Sequence, residues 1–208
     1  MSTPLYKIYE SFLSQIEDDI LAFMKATVVE KLLLRYLKSS ITEFTTCTKD
    51  LSIIDCDYGS FLIEKGKLLY ELDFYSQDVK LDLIGVDTKN VYILNKDYKV
   101  EFIDTKCLLT FEIELNEDVE FNWITRGKII DDLEEDEINI LALGMIYYWL
   151  QPKILRDDSL KNQITDHDFK RLSQANMLDK LMKLKKLSQS ELKTKVRNYS
   201  YKDFKGFN

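Results

Sequence analysis

DDLEEDEINILALGMIYYWLQPKIL, residues 131–155, reads as the start and body of one long helix. Its acidic run falls where a helix presents the positive end of its dipole, a place that stabilises carboxylates. The apolar residues that follow recur with helical period. Pro152 has no backbone N–H and its ring crowds the preceding turn, so the helix is expected to kink or end there. Downstream, RDDSLKNQITDHDFKRLSQAN (156–176) reads as a polar link, in which Ser159 and Thr165 mark starts of a turn or short helix. MLDKLMKLKKLSQSELKTKVRNYSY (177–201) then reads as a basic amphipathic helix capped by Ser173. Met177, Leu181, Leu184, Leu187 and Leu192 form its predicted apolar face, and Lys180, Lys183, Lys185, Lys186, Lys193 and Lys195 line the rest. Such a helix–link–helix, rich in packing residues and without a reactive constellation, reads as an interaction module.

Helix is also expected at the other end of the chain. Thr3-Pro4 reads as a helix start, with Thr3 as cap and proline at the first helical position. Leu5, Ile8, Phe12, Leu13, Ile16, Ile20, Phe23 and Met24 then recur at three- and four-residue steps. Thr27 to Glu30, TVVE, matches a capping box, and a second helix is expected from there to about Phe44. The short joint predicts an antiparallel helix pair.

Between the two helical ends the period changes. LSIIDC, FLIE, LLYELDFY, VKLDLIGV, NVYILN, YKVEFI and CLLTFEIEL are short and rich in β-branched and aromatic residues. Asp57-Tyr58-Gly59, Lys65-Gly66-Lys67, Asp87-Thr88-Lys89-Asn90 and Asn95-Lys96-Asp97 punctuate them. The expectation is a run of hairpins joined in order, with Trp123–Ile130 as the connector back to helix. The fold class is therefore α+β: a helical bundle from residues 1–47 and 126–208, with an antiparallel β domain inserted over 48–125.

Composition narrows the chemistry. A chain of 208 residues, 45% hydrophobic and 12% aromatic, has the material for a packed core. With 6 glycines and 2 prolines, a Gly-rich phosphate loop is not expected. No apolar run would span a bilayer and MSTPLYKIYESF lacks the features of a signal peptide, which makes a cytosolic product the expectation. Cys47, Cys56 and Cys107 have no metal-ligand spacing and read as reduced thiols. One histidine leaves little for a zinc site or a His-dependent triad, and neither a cofactor nor catalysis is expected.

Residues 1–150 carry 15 Lys+Arg against 29 Asp+Glu, a balance of −14, whereas residues 151–208 carry 14 against 7, or +7. Two readings are open. Unlike faces can meet between subunits, or the basic C-terminal helix can lie on its own acidic domain. The run Asp131–Glu137 lacks the glycine and alternating ligands of a calcium loop and reads as a helix start. His167, between Asp166 and Asp168, reads as a surface or interface residue. The Tyr147, Tyr148 and Trp149 cluster reads as core packing, with at least one ring expected to face outward.

The C-terminal third resembles the head–tail connector (adaptor, or neck) proteins of tailed bacteriophages. The similar residues are LEEDEINILA (Leu133–Ala142), then Trp149, Leu150, Pro152 and Ile154. They continue as Asp168, Phe169, Lys170, Ser173, Gln174, Ala175, Asn176 and Leu178, and close on Tyr199–Tyr201. FLSQIEDDI (Phe12–Ile20) and SSITEF (Ser39–Phe44) extend the resemblance to the N-terminal part, while the β-rich middle departs from the short connection of that family. The resemblance implies a structural virion protein: a ring, commonly of twelve copies, beneath the portal, which extends the DNA channel and docks tail or collar proteins. It implies interface roles for Asp168, Phe169, Ser173, Gln174 and Asn176 against a neighbour, and for Tyr199, Tyr201 and Phe204 toward an adjacent ring. It also turns Lys183, Lys185, Lys186 and Lys193 toward a partner or the DNA channel, with no membrane involved. The competing reading is a stand-alone protein-binding module, and a third is an enzyme holding a divalent metal on the acidic run.

Overall fold

Helices from the two ends of the chain pack together, and three antiparallel sheets are inserted between them in sequence. The computed structural model describes residues 2–72, 79–103, 106–161 and 168–202. The helices are α1 (Leu5–Leu13), α2 (Asp19–Phe23), α3 (Ala26–Glu43), α4 (Glu135–Lys161) and α5 (Asp168–Lys202). The strands are β1 (Thr3–Pro4), β2 (Ile53–Ile54), β3 (Tyr58–Ile63), β4 (Leu69–Leu72), β5 (Val79–Gly85), β6 (Val91–Tyr92), β7 (Tyr98–Ile103), β8 (Lys106–Phe111), β9 (Val119–Thr125) and β10 (Lys128–Ile129). Two compact units result: a helical one from residues 1–18, 32–52 and 129–208, and a β-rich one from residues 19–31 and 53–128.

In the helical unit, apolar residues from both chain ends share one interior. Leu5, Ile8 and Phe12 of α1, Leu33 and Leu37 of α3, Leu141, Ala142 and Met145 of α4, and Leu178 and Leu192 of α5 are buried. The Phe12 ring meets Trp149 edge-on at 6.4 Å. Trp149 Nε1 donates to Asp18 Oδ2 at 2.8 Å, and the Lys153 ammonium binds the same carboxylate at 3.0 Å while lying over the indole. Tyr147, Tyr148 and Trp149 are all half-buried; the Tyr148 hydroxyl donates to Glu43 Oε1 at the surface, at 2.6 Å, and Tyr147 lines an open cleft.

Several local expectations are overturned by tertiary partners. The first helix is not continuous to Met24. It closes at Leu13, where Ser14 Oγ and Gln15 Nε2 both donate to the Ser11 carbonyl and take over the last turn. Phe23, read as part of the buried stripe, is 90% exposed. Thr3 does not cap α1, because Pro4 holds the N-cap position. Instead the Thr3 hydroxyl donates to the Asp131 carbonyl at 3.0 Å and accepts from the Leu133 amide at 2.6 Å.

The Thr27–Glu30 capping box is also replaced. α3 begins at Ala26, and the Thr27 amide and hydroxyl both donate to Asp82 Oδ2, at 2.7 and 2.6 Å. A carboxylate from β5 thus caps the helix, satisfying an orphan amide and the positive end of the dipole together. Asp82→Ala is expected to cost about 1 kcal/mol, the usual loss for a removed cap. A urea midpoint unchanged from the parent would remove the cap from this account.

Pro152 neither ends α4 nor separates it from the following residues, for α4 runs on to Lys161. Packing on both sides of the proline, with Leu150 buried and Ile154 half-buried, offsets the single missing hydrogen bond. Most of the predicted polar link is therefore helix. Ser159 lies within α4 and Ser173 within α5 rather than at caps, and Thr165 and His167 lie outside the described residues.

The β-rich unit is not a run of sequential hairpins. Its four-stranded sheet has the order β3-β9-β5-β6 and its three-stranded sheet β4-β8-β7; a separate sheet has the order β1-β10-β2. Among the described residues, only β5–β6 and β7–β8 pair strands that are neighbours in sequence. β9 occupies an interior position in its sheet, although its last three residues, Trp123–Thr125, fall in the stretch read as a connector. Val119 and Phe121 are buried, with Trp123 packed against the same core, and Glu120 is exposed, which gives the strand its inward face; Ile124 is buried on the other face. Ile63, Leu83, Val119 and Phe121 from one sheet join Tyr98, Cys107, Leu109 and Phe111 from the other in one core, a sandwich arrangement.

Turns form where punctuators were read. Gly66 has φ +81°, the left-handed region that a Cβ disfavours, and Lys89 and Asn95 also adopt positive φ. The exception is Asp57-Tyr58-Gly59: the positive φ falls on Asp55, and Tyr58 and Gly59 begin β3. Glu117 accepts from the Thr88 hydroxyl, from the Thr88 amide at 2.9 Å and from the Asp87 amide at 2.8 Å. Led by the Thr88 bonds, these contacts hold its carboxyl below the usual range.

Candidate functional site

The first turn of α4 and the last turns of α5 form the most elaborated polar site among the described residues. Glu137 stands at the third position of α4 and its Oε2 accepts from the Glu134 amide at 2.6 Å, the reaching-back half of a capping box. The same oxygen binds the Lys49 ammonium at 2.7 Å, and Oε1 accepts the Tyr199 hydroxyl at 2.7 Å. Only 1% of Glu137 is exposed. Burial pushes its carboxyl up, but the bonds from Lys49, Tyr199 and the Glu134 amide together outweigh it and leave the group below its usual range. Lys49 is held above its ordinary value, first by the hydrogen bond to Glu137.

Around this buried knot lies an exposed rim. Lys202 binds Glu134 at 3.1 Å and Asp136 at 3.2 Å, and the Tyr199 ring meets Phe44 edge-on at 4.9 Å. An open cleft of about 490 Å³ adjoins it, lined by Asp136, Ile140, Lys195, Asn198, Tyr199, Tyr201 and Lys202. Part of the acidic–basic split is thus consumed within the chain: the basic end of α5 lies on the acidic start of α4. Asp131 is also engaged, its Oδ2 accepting the Asp50 amide at 2.7 Å. Among the described residues, no group of three or more His, Cys, Asp or Glu could hold a metal ion.

Asp168, Phe169, Ser173, Gln174 and Asn176 lie in the first turns of α5, with their side chains outside the described residues, as is Phe204 entirely. Tyr199 is directed into its own chain, whereas Tyr201 is 63% exposed beside the cleft. The lysines divide. Lys185 is half-buried with its ammonium 4.9 Å from the Tyr147 ring centre. Lys183, Lys186 and Lys193 are exposed, Lys183 pairing with Asp179 at 2.8 Å.

The buried side of α5 overlaps only part of the apolar face read from its leucines: Leu181 and Leu192 belong to it, Leu184 and Leu187 do not, and the Met177 side chain lies outside the described residues. Leu178, Ser188 and Leu192 are buried and Leu181, Lys185, Val196 and Tyr199 half-buried, a stripe at three- and four-residue steps. Leu184 and Leu187 are 52% and 65% exposed. At 100° per residue Leu187 falls about 140° from the middle of that stripe, beside Lys180 and Lys183, and Leu184 about 80° from it, on the flank next to Ser188. Glu137 and Lys49 were missed as a pair. Glu137 had a signal, a glutamate three residues past the helix cap, whereas nothing local marks Lys49 as its partner.

No protein-family model and no curated protein matches this sequence.

Proposed function

We propose that this chain is a structural subunit of a phage head–tail connector, forming a ring that joins portal to tail around the DNA passage. The observation that carries this reading is the outer face of α5. Leu187 stands exposed there opposite the side already sealed by packing, and Leu184 is exposed on the flank between the two. Water-facing leucines of this kind, bordered by charge, are what a subunit contact covers. The residues that resemble connector proteins supply the family, and a helical unit drawn from both chain ends suits it. In this reading the partners are further copies of the chain, commonly twelve, with the portal and the tail or collar proteins above and below. Lys183, Lys186 and Lys193 are the lysines placed to meet a neighbour or packaged DNA without base specificity. Lys185 is set apart by its contact with Tyr147. No catalytic step and no cofactor belong to the proposal.

Electron microscopy of virions labelled with an antibody to this chain, together with mixing of purified chain and portal protein, tests the reading. The expected result is a ring at the junction of head and tail and a ring-sized complex on mixing, even where the chain alone stays small. Label absent from that junction, with no complex on mixing, would overturn the connector role in favour of a stand-alone binding module.

A further inference from the structure

β3, Tyr58–Ile63, is an edge strand of the four-stranded sheet, paired on one side with β9 and carrying no charged residue and no proline. Sheet edges are ordinarily blunted by such residues. The register runs from Tyr58 opposite Ile124 to Ile63 opposite Val119, and the Thr125 amide donates to the Asp57 carbonyl at 2.8 Å. Bonded and non-bonded pairs alternate in an antiparallel ladder. Gly59, Phe61 and Ile63 therefore bond to β9, and the N–H and C=O groups of Tyr58, Ser60 and Leu62 point to the other side. The side chains of these three residues are exposed on the outer face, Tyr58 by 56% and Leu62 by 51%.

We propose that this edge is completed by β3 of a second copy, antiparallel about a two-fold axis through Ser60. Ser60 then faces its own counterpart, and Tyr58 faces Leu62 in both directions. All three outward-pointing residues become hydrogen-bonded pairs, so six backbone bonds form at once. The outer faces match because strand side chains alternate. The neighbouring register is disfavoured on two counts: it sets Asp57 against Glu64 and turns each side chain to the wrong face. In the proposed register Asp57 meets Ile63 instead. Such a short pairing falls below the roughly 1,200 Å² of a stable interface, so the dimer is weak and concentration-dependent. The contact is isologous and saturates at two copies, which makes it independent of the ring reading, where contacts are heterologous.

Sedimentation equilibrium of the full chain from low micromolar to near-millimolar concentration is expected to show monomer giving way to dimer. Ser60→Pro removes the central donor while leaving the β9 ladder intact, and Leu62→Lys puts a charge into the edge. Each is expected to weaken dimerisation at least tenfold. With oxidised glutathione, Ser60→Cys is expected to cross-link to itself, since paired Cα atoms about 5.5 Å apart suit a disulfide. Tyr58→Cys alone should stay at the level of the parent chain, and Tyr58→Cys/Leu62→Cys should cross-link. A parent that remains monomeric throughout overturns the proposal, as does a dimer that survives both Ser60→Pro and Leu62→Lys. Equal cross-linking of Tyr58→Cys and Ser60→Cys overturns the register. A Ser60→Pro chain that fails to fold also counts against it, because that N–H would then be bonded inside the sheet, and Leu62→Lys still reads the dimer.

Discussion

Glu137→Ala is expected to cost about 3 kcal/mol of folding stability, at the lower end for a buried ion pair that loses one partner. The carboxylate has three partners, the Lys49 ammonium, the Tyr199 hydroxyl and the Glu134 amide. Alanine leaves the Glu134 amide and the Tyr199 hydroxyl without this acceptor and the Lys49 ammonium without its counter-charge, with the Asp132 carbonyl at 2.7 Å still accepting from it, in a place where Glu137 is 1% exposed and water cannot easily replace the carboxylate. Glu137→Gln keeps an oxygen for the Glu134 amide but loses the charge that Lys49 requires, and should fall between parent and alanine. The pH dependence has a defined sign. Since the folded carboxyl lies below its usual value, its contribution is fully present above the unfolded value of about 4.3 and is lost as pH falls through the folded one. Urea denaturation of parent and Glu137→Gln between neutral and acid pH measures this. The two stabilities should converge as pH falls, and a gap that stays constant would show that ionisation of Glu137 contributes nothing.

Gly144→Ala should destabilise by about 2 kcal/mol, although glycine to alanine inside a helix ordinarily gains roughly 1 kcal/mol. The reason is the approach of α3 to α4. A Cβ at residue 144 would lie 2.1 Å from Ser40 Oγ and 2.9 Å from Ser40 Cβ. That hydroxyl donates to the Leu141 carbonyl at 2.7 Å, and Ser40 is 1% exposed, so rotating it away breaks a buried bond. The helices must separate or Ser40 must give up its bond, and either outweighs the propensity gain. Ser40→Gly in the same chain should recover part of the loss. Thermal or urea unfolding of the two single variants and the double variant reads this as a coupling energy. Simple additivity would remove the steric account.

Helix and strand were legible wherever the period ran long. α3 and most strands between residues 53 and 111 lie where the pattern put them, as do the bodies of α4 and α5, although both helices extend into the stretch read as a polar link. Pairing was not legible, because β3 with β9 and β4 with β8 are distant in sequence and alternation says only which face a residue takes, never which strand it meets. β9 is the clearest loss. It is interior to its sheet, yet the strand pattern was read only as far as Leu115 and Trp123–Thr125 were given to the connector.

The candidate site was half legible. Asp131–Glu137 as a dipole-matched helix start was visible in the residues, and so was the basic character of α5. That Lys49 and Tyr199 close on Glu137 was not, because their meeting depends on packing between segments some 60 to 90 residues apart in sequence.

By itself, then, the sequence determined the α+β class, the two helical ends and the β-rich insertion, because the choice between periods of 3.6 and 2 is made locally by alternating polarity. Tertiary structure alone decided caps and faces. Thr27 could have capped its own helix but met Asp82, and Thr3 could have capped α1 but met Asp131 and Leu133. α5 carries two apolar stripes, one through Leu178 and Leu192, the other through Leu184 and Leu187. Both satisfy a helical period equally, and only the neighbouring helix selects which is buried and which is left for something else to cover.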